Sequence, residues 1–419
     1  MRKLVILVIV GLLLASGALF GAGRAEQAAP ETQTIRFVWF TDGPDRPAIE
    51  ALVAEYQQLN PNVTIDFSIV PFAELNQLLR TQAAAGQAPD LARVTEPYRF
   101  FEFGLDLRPY VPSGFAGEFL ADPMKLATGP NGEVFGFPHD LTMNGPFINV
   151  SLFRQAGVPI PEGDVPWETW FELAHRVQQA TGVPYAVAAD RSGHRLDGII
   201  QSFGGSYFTA DGSRLNLNSP QTRQAIRYFI ELHHRGIMPL EIWAGGSGYV
   251  GANQQFVNGQ LVMYVSGNWQ VAQFAETIGD RFEWKAVPNG VNVQSGGMPG
   301  GKFVMAFRGS ADSAAVADLV QFLAKRDSVE QFAAQSMFLP ARQDLLQSGV
   351  AYPVRSDVMN TFMEGLARLP ATAYSDNYHQ RFGAIANIVR DRVTQAITRE
   401  ITIDEAFRLM QREAEDAMR

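Results

Sequence analysis

Six tryptophans and no cysteine set the chemistry open to this 419-residue chain. Trp39, Trp243 and Trp269 stand beside turn-forming or small residues, in Trp39-Phe-Thr-Asp42, Ile-Trp243-Ala-Gly and Ser-Gly-Asn-Trp269. The first lies at the end of a strand and the other two on loops. Flat rings of this kind cover the C–H faces of a sugar, and carboxylates accept paired hydroxyls at its rim. Asp42, Glu96 and Asp140 are the acids placed to do so, each just after a strand or at a crossing of the chain; a solvated loop acid is the plain alternative for each. Asn144, in Thr-Met-Asn144-Gly-Pro, could add an amide, and Gly297 and Gly300 could offer backbone N–H groups or simply freedom to bend. Trp39 shares a strand face with Phe37 and could equally be core, and Trp167 and Trp170, at a helix start, read as packing residues. Arg191-Ser-Gly-His194-Arg195 gathers three basic side chains. Turned toward a ligand they would match a carboxylate or phosphate; turned outward they would be an exposed charged loop.

Other chemistries fall away. Without cysteine there is no disulfide, no thiolate nucleophile, no cysteine metal site and no attachment point for lipid. His233 and His234 are adjacent on a helix and point about 100° apart, a poor pair for one metal. Gly246-Ser-Gly-Tyr-Val-Gly251 matches the dinucleotide-binding glycine pattern but lacks the strand–turn–helix setting and the ribose-binding acid. Neither a cofactor nor a metal is expected. The formal charge is −9, from 34 basic and 43 acidic residues, with no long basic run, which argues against nucleic acid.

These residues need elements to hold them. A β-rich stretch at 35–40 stops at Thr-Asp-Gly-Pro, and a helix follows with Ile49, Leu52, Val53 and Tyr56 on one face. Val63, Ile65, Phe67 and Ile69 alternate with polar residues as in a half-buried strand. A second helix carries Leu75, Leu78 and Leu79, and a third strand spans 90–94. Strand–helix alternation implies right-handed crossovers and a parallel sheet, with ligand at the carboxyl ends of the strands. A second unit begins with a helix over 167–181. It continues through a helix capped by Ser219 with Pro220 behind it, and a strand at 261–265. A strand at 303–307 precedes another helix, and 356–419 looks helical throughout. Gly- and Pro-rich passages near 138–146, 296–301 and 339–340 read as three crossings between two lobes, which makes both domains discontinuous.

The amino terminus speaks to location. Arg2 and Lys3 precede an apolar run over residues 4–14, followed by small residues, the order of a cleavable export signal. The run is shorter than the roughly 20 residues of a spanning helix. Cleavage after Ala18 or Ala25 would both satisfy the small-x-small rule. The expected mature chain is soluble in the periplasm and not a lipoprotein.

Tyr56-Gln-Gln-Leu-Asn-Pro61, Ala84-Ala-Gly86-Gln-Ala-Pro89-Asp90, Gly132-Glu-Val-Phe-Gly-Phe-Pro138, Pro166-Trp-Glu-Thr-Trp170 and Phe256-x-x-Gly259-x-x-x-Met263-x-x-x-Gly267-x-Trp269 occur in this order across nearly the whole chain. Together they resemble the extracellular solute-binding proteins of carbohydrate ABC importers, the group that includes maltose-binding protein. The resemblance implies an α/β, two-lobed periplasmic binding protein of type II-like form with three hinge crossings. Its expected boundaries are 1–25 for the signal peptide, 32–142 plus 302–338 for one lobe, and 146–300 plus 340–419 for the other. It implies binding without catalysis, a small carbohydrate ligand stacked on Trp269, and delivery to ABC permease subunits by a monomer. Many relatives carry a lipid-bearing cysteine; this chain does not. A secreted glycoside hydrolase would use the same residue types, and a chemoreceptor's ligand-binding partner would share the fold.

Overall fold

The computed structural model describes residues 32–244, 249–309 and 311–419. The export-signal reading and residues 246–248 of the glycine pattern lie outside them.

A nine-stranded mixed sheet runs in the order β2-β1-β3-β8-β4-β6-β5, with β7 and β9 also on β4. β1 (Gln33–Trp39) pairs in parallel with β2 (Val63–Ile69) on one side and β3 (Leu91–Val94) on the other. The helices Arg46–Leu59 and Phe72–Ala84 connect these strands, as the alternation requires. On the first helix Ile49, Leu52, Val53 and Tyr56 are all buried. β2 is the edge strand, and only Ile65 of its alternating residues is fully buried.

One long strand runs through both halves. β4 (Gly136–Asn149) is 14 residues long and buried throughout; at about 3.4 Å per residue it reaches across the whole molecule. Its first half pairs antiparallel with β8 (Pro299–Ala306), and its second half with β6 (Leu261–Gly267) and β7 (Trp284–Ala286). β5 (Tyr185–Ala189) completes the second half, parallel to β6. Where the halves meet, Leu141, Thr142 and Met143 face Gly301, Gly300 and Pro299, and Asp140 and Leu141 face β9 (Leu339–Pro340). The three crossing segments are therefore side by side.

The second-half helices form where sequence signals put them. Trp167–Thr181 ends at Gly182, whose φ of +73° is left-handed and comfortable only for glycine. Pro220–His234 is capped by the Ser219 side chain, which accepts from Thr222 N–H. The last 64 residues hold four helices: Ser356–Ala367, Ala371–Asn377, Phe382–Ile397 and Ile403–Met418.

One expectation fails outright. Trp243 is not on an exposed loop. It belongs to the short helix Leu240–Ala244, is 1% exposed, donates its indole N–H to Ala189 O at 3.1 Å, and packs edge-on against Phe229 and His233. Apolar neighbours on Pro220–His234 offered a better burial than solvent, and the following glycines masked that in the sequence.

Candidate functional site

The first lobe organises its end of the site around Arg93, a cation inside an otherwise apolar strand and fully buried. Its guanidinium donates to Phe40 O, to Asp45 and, at 2.9 and 3.0 Å, to both oxygens of Asp140. It lies 4.5 Å over the Trp39 ring, and the Trp39 indole donates to Asp45 at 3.1 Å. Burial alone would push the Asp140 carboxyl up; Arg93, His139 and Lys302 outweigh it and hold Asp140 below the ordinary carboxylate range. Trp39 and Asp140 are consequently buried in the core, each at most 1% exposed, where the expectation had them facing a ligand. Burying two acids demands a fixed cation, and Arg93 answers that demand from within the sheet.

Asp42 and Glu96 stay at the surface of this lobe. Asp42 pairs with Lys302 Nζ at 2.6 Å on β8. Glu96 accepts from the Tyr98 hydroxyl at 2.5 Å and from Arg99 Nε at 2.6 Å, which fixes Tyr98.

At the junction, Trp269 follows β6 on a single turn and is half-buried. Asn268 beside it accepts from Met143 N–H at 2.9 Å and donates to Met337 O at 3.2 Å, which ties the turn to two crossings. Asn144 is spent in the same way: its side-chain oxygen accepts from Met298 N–H at 2.5 Å, and it is 1% exposed. A Cβ at Gly300 would strike Thr142 Oγ1, and one at Gly297 would sit 2.7 Å from Met143 Cε. These three residues serve close approach of the crossings.

The basic segment divides. Its residues open the helix Gly193–Ser202 and do not form an exposed loop. Arg191 turns to Thr394 Oγ1 (3.2 Å) and Asp391 (3.6 Å). His194 meets Phe382 edge-on at 4.8 Å, and burial, with the charges of Arg195 and Arg390, pulls its ring down to about 4. Arg195 lies 4.1 Å over the Trp269 ring, with Nε 3.4 Å from Asp190. The sequence reading passed over Asp190, which is fully buried and also accepts from Tyr249 (2.9 Å), Tyr264 (2.5 Å) and Ser266 (3.1 Å) hydroxyls. Its signal was available: an acid directly after β5, at the carboxyl end of a strand.

Between the lobes lies a cavity of about 690 Å³. Tyr98, Asp122 and Lys125 bound it from the first lobe; Asp211, Tyr374, Tyr378 and His379 bound it from the second. Asp122 and Lys125 pair at 2.5 Å. Thr209 and Ser213 hydrogen bonds hold Asp211 ionised, its carboxyl pulled down to about 2. His379 stacks on Phe208 at 3.8 Å, donating from Nε2 to Gly212 O and accepting at Nδ1 from Arg381 N–H. None of these cavity residues was singled out from sequence, though Glu96, which holds Tyr98, was; they lie far apart in the chain.

The sequence matches the model of the bacterial extracellular solute-binding protein family over residues 51–356. The chain belongs to this family. Similar members include the multiple sugar-binding protein of Streptococcus mutans, 22% identical over 324 residues, which are 70% of this chain and 73% of that one. Among solved structures, the cyclic alpha-maltosyl-1,6-maltose binding protein from Arthrobacter globiformis superposes with a TM-score of 0.77. It is 21% identical, and the match covers 92% of this chain and 98% of that one. Maltose-bound MalE3 of T. maritima gives 0.70 at 19% identity, covering 91% and 99%. The two-lobed fold of these solute-binding proteins is thus the fold of this chain, and Trp269 and the cavity lie where its lobes meet.

Proposed function

We propose that this solute-binding protein captures a neutral sugar or short oligosaccharide between its lobes and delivers it to the permease of an ABC importer. The observation that carries the reading is the interlobe cavity, whose volume suits a ligand of that size and whose walls combine aromatic rings with fixed polar groups. The charges on the cavity wall balance: Lys125 pairs with Asp122, and the ionised Asp211 shares the wall with Arg381. Sugar ligands named for the relatives support the same class. In this reading the lobes are 32–142 plus 302–338 and 146–300 plus 340–419, and residues 1–25 direct export to the periplasm, where the mature chain acts as a monomer.

Catalysis is not part of the proposal. A glycoside hydrolase needs one carboxyl held protonated as an acid, whereas Asp211 is held ionised and Asp122 is bound to Lys125. The test is a thermal-shift screen of neutral oligosaccharides, uronates and polyol phosphates, with the recovered sugars then chromatographed. A neutral sugar should raise Tm by mass action and come back intact. Stabilisation only by anions would overturn the neutral reading, and cleavage products would establish the hydrolase.

A further inference from the structure

Behind the second-lobe wall of the cavity lie two carboxyl groups that binding does not explain. Asp197, on Gly193–Ser202, and Asp376, on Ala371–Asn377, are both fully buried. The Gln201 amide reaches both, at 3.4 and 2.9 Å, which sets the two carboxyls side by side. Asp376 also accepts the backbone N–H groups of Tyr207 (2.6 Å) and Phe208 (3.1 Å), and Asp197 accepts from Asn377 Nδ2 at 2.9 Å. Asp376, with two backbone donors, is the better-supported anion of the two, which leaves Asp197 as the carboxyl to carry a proton.

No cation among the described residues pairs with either carboxyl. On Gly193–Ser202, His194 faces Phe382 and Arg195 faces Asp190 and Trp269. From the packed elements, Arg390 pairs with Asp391, Arg223 and Arg227 with Asp404, Lys125 with Asp122, and Lys302 with Asp42. Tyr207 donates to Gly193 O, and His379 is fixed on Gly212. Two anions here would repel with no cation between them, so a proton is retained.

The pair ties the helix bearing Arg195 to two segments that lead into the cavity lining: the Tyr207–Phe208 stretch before Asp211, and the helix bearing Tyr374 with Tyr378 after it. We infer that the Asp197–Asp376 pair is a proton-operated latch on this wall, so that ligand capture is tighter when the latch is protonated. The inference rests on the cavity being the ligand site.

Burial and mutual repulsion raise the Asp197 carboxyl well above its ordinary value. A raised group contributes stability that is complete below about pH 4 and is lost as pH rises through its folded value. The test compares wild type with Asp197→Asn, which keeps the side chain's size and an oxygen for the Asn377 amide but cannot titrate. Unfolding midpoints between pH 4 and 9 should decline with rising pH more steeply in wild type than in the variant. Sugar Kd, for the tightest sugar of the screen, should rise by up to about tenfold per pH unit above the latch's value in wild type only. Parallel stability profiles overturn the latch whether or not a sugar binds. Divergent profiles with pH-independent sugar binding keep the proton pair but overturn its hold on capture. If no sugar binds, divergent profiles support the latch while the carbohydrate reading fails. If Asp197→Asn does not fold, infrared spectra of wild type decide: a protonated-carboxyl band lost on raising pH supports the latch, and its absence at pH 6 overturns it.

Discussion

At the scale of single residues, the strongest constraint is the buried charge at Arg93. Replacing it with Met leaves Asp45 and Asp140 in the core without their cation, a loss of about 3–5 kcal/mol, and urea denaturation should find Arg93→Met far less stable or unfolded. The acid side follows from Asp140. Its folded value is depressed, so its contribution is present above about pH 4, where the unfolded carboxyl is ionised, and is lost as pH falls below that. Midpoints measured from pH 7 down to 2 should fall more steeply in wild type than in Asp140→Asn, which is itself weaker at pH 7. Arg195 poses a different question. Its guanidinium on Trp269 contributes about 1–2 kcal/mol by cation–π attraction, and its charge is already answered by Asp190. Arg195→Gln should therefore lower stability slightly without changing the ratio of neutral-sugar to uronate affinity in calorimetry; a fall in uronate affinity alone would show that Arg195 selects acids. Sequence reading named Trp39 and Asp140 as ligand groups because residue type and strand end are visible in a chain. Whether a buried partner such as Arg93 claims them is not, since that partner sits 47 residues from Asp140.

At the scale of elements, the crossings are packed too closely to tolerate side chains, but not uniformly. A Cβ at Gly296 would collide with the backbone, at Gly198 O and, 2.5 Å away, Ser202 N. At Gly297 the obstacles are the ends of flexible side chains, Met143 Cε at 2.7 Å and Leu369 Cδ2 at 2.8 Å. Overpacking costs about 1–3 kcal/mol where neighbours can yield, and more where they are backbone. Thermal melts should thus show Gly296→Ala losing clearly more stability than Gly297→Ala; equal losses would mean that the segment shifts as a unit. The elements themselves were largely legible. Ser219-Pro220, Gly182 and the alternation from Val63 to Ile69 act locally, through capping, φ and period, so the sequence displays them. Trp243 was misread because its local signal, glycines to one side, pointed to a loop, whereas its burial is decided by Phe229 on a different helix.

At the scale of the whole molecule, the two-lobed arrangement was readable because three glycine- and proline-rich passages interrupt the α/β pattern. What could not be read was that β4 runs unbroken through both lobes, with β8 and β9 paired beside the same few residues. That geometry limits the motion available. Adjacent extended crossings can bend together without exchanging hydrogen-bond partners, so a hinge rotation is the change this geometry permits. Asn268 and Asn144, which bind Met143, Met337 and Met298 across the crossings, set the pivot beside Trp269. A ligand that touches both Tyr98 and Tyr378 makes part of its contacts only when the lobes are together, and by that differential affinity shifts the population toward the closed form. Small-angle scattering should accordingly record a smaller radius of gyration with saturating sugar than without, accompanied by about 2.7 kcal/mol of added stability at a hundredfold excess over Kd. Gly300→Val, which loads the crossing against Thr142, should weaken both effects together. A ligand that stabilises the protein while leaving its scattering profile unchanged would mean that it binds a cleft already closed, and the hinge would then govern release to the permease instead of capture.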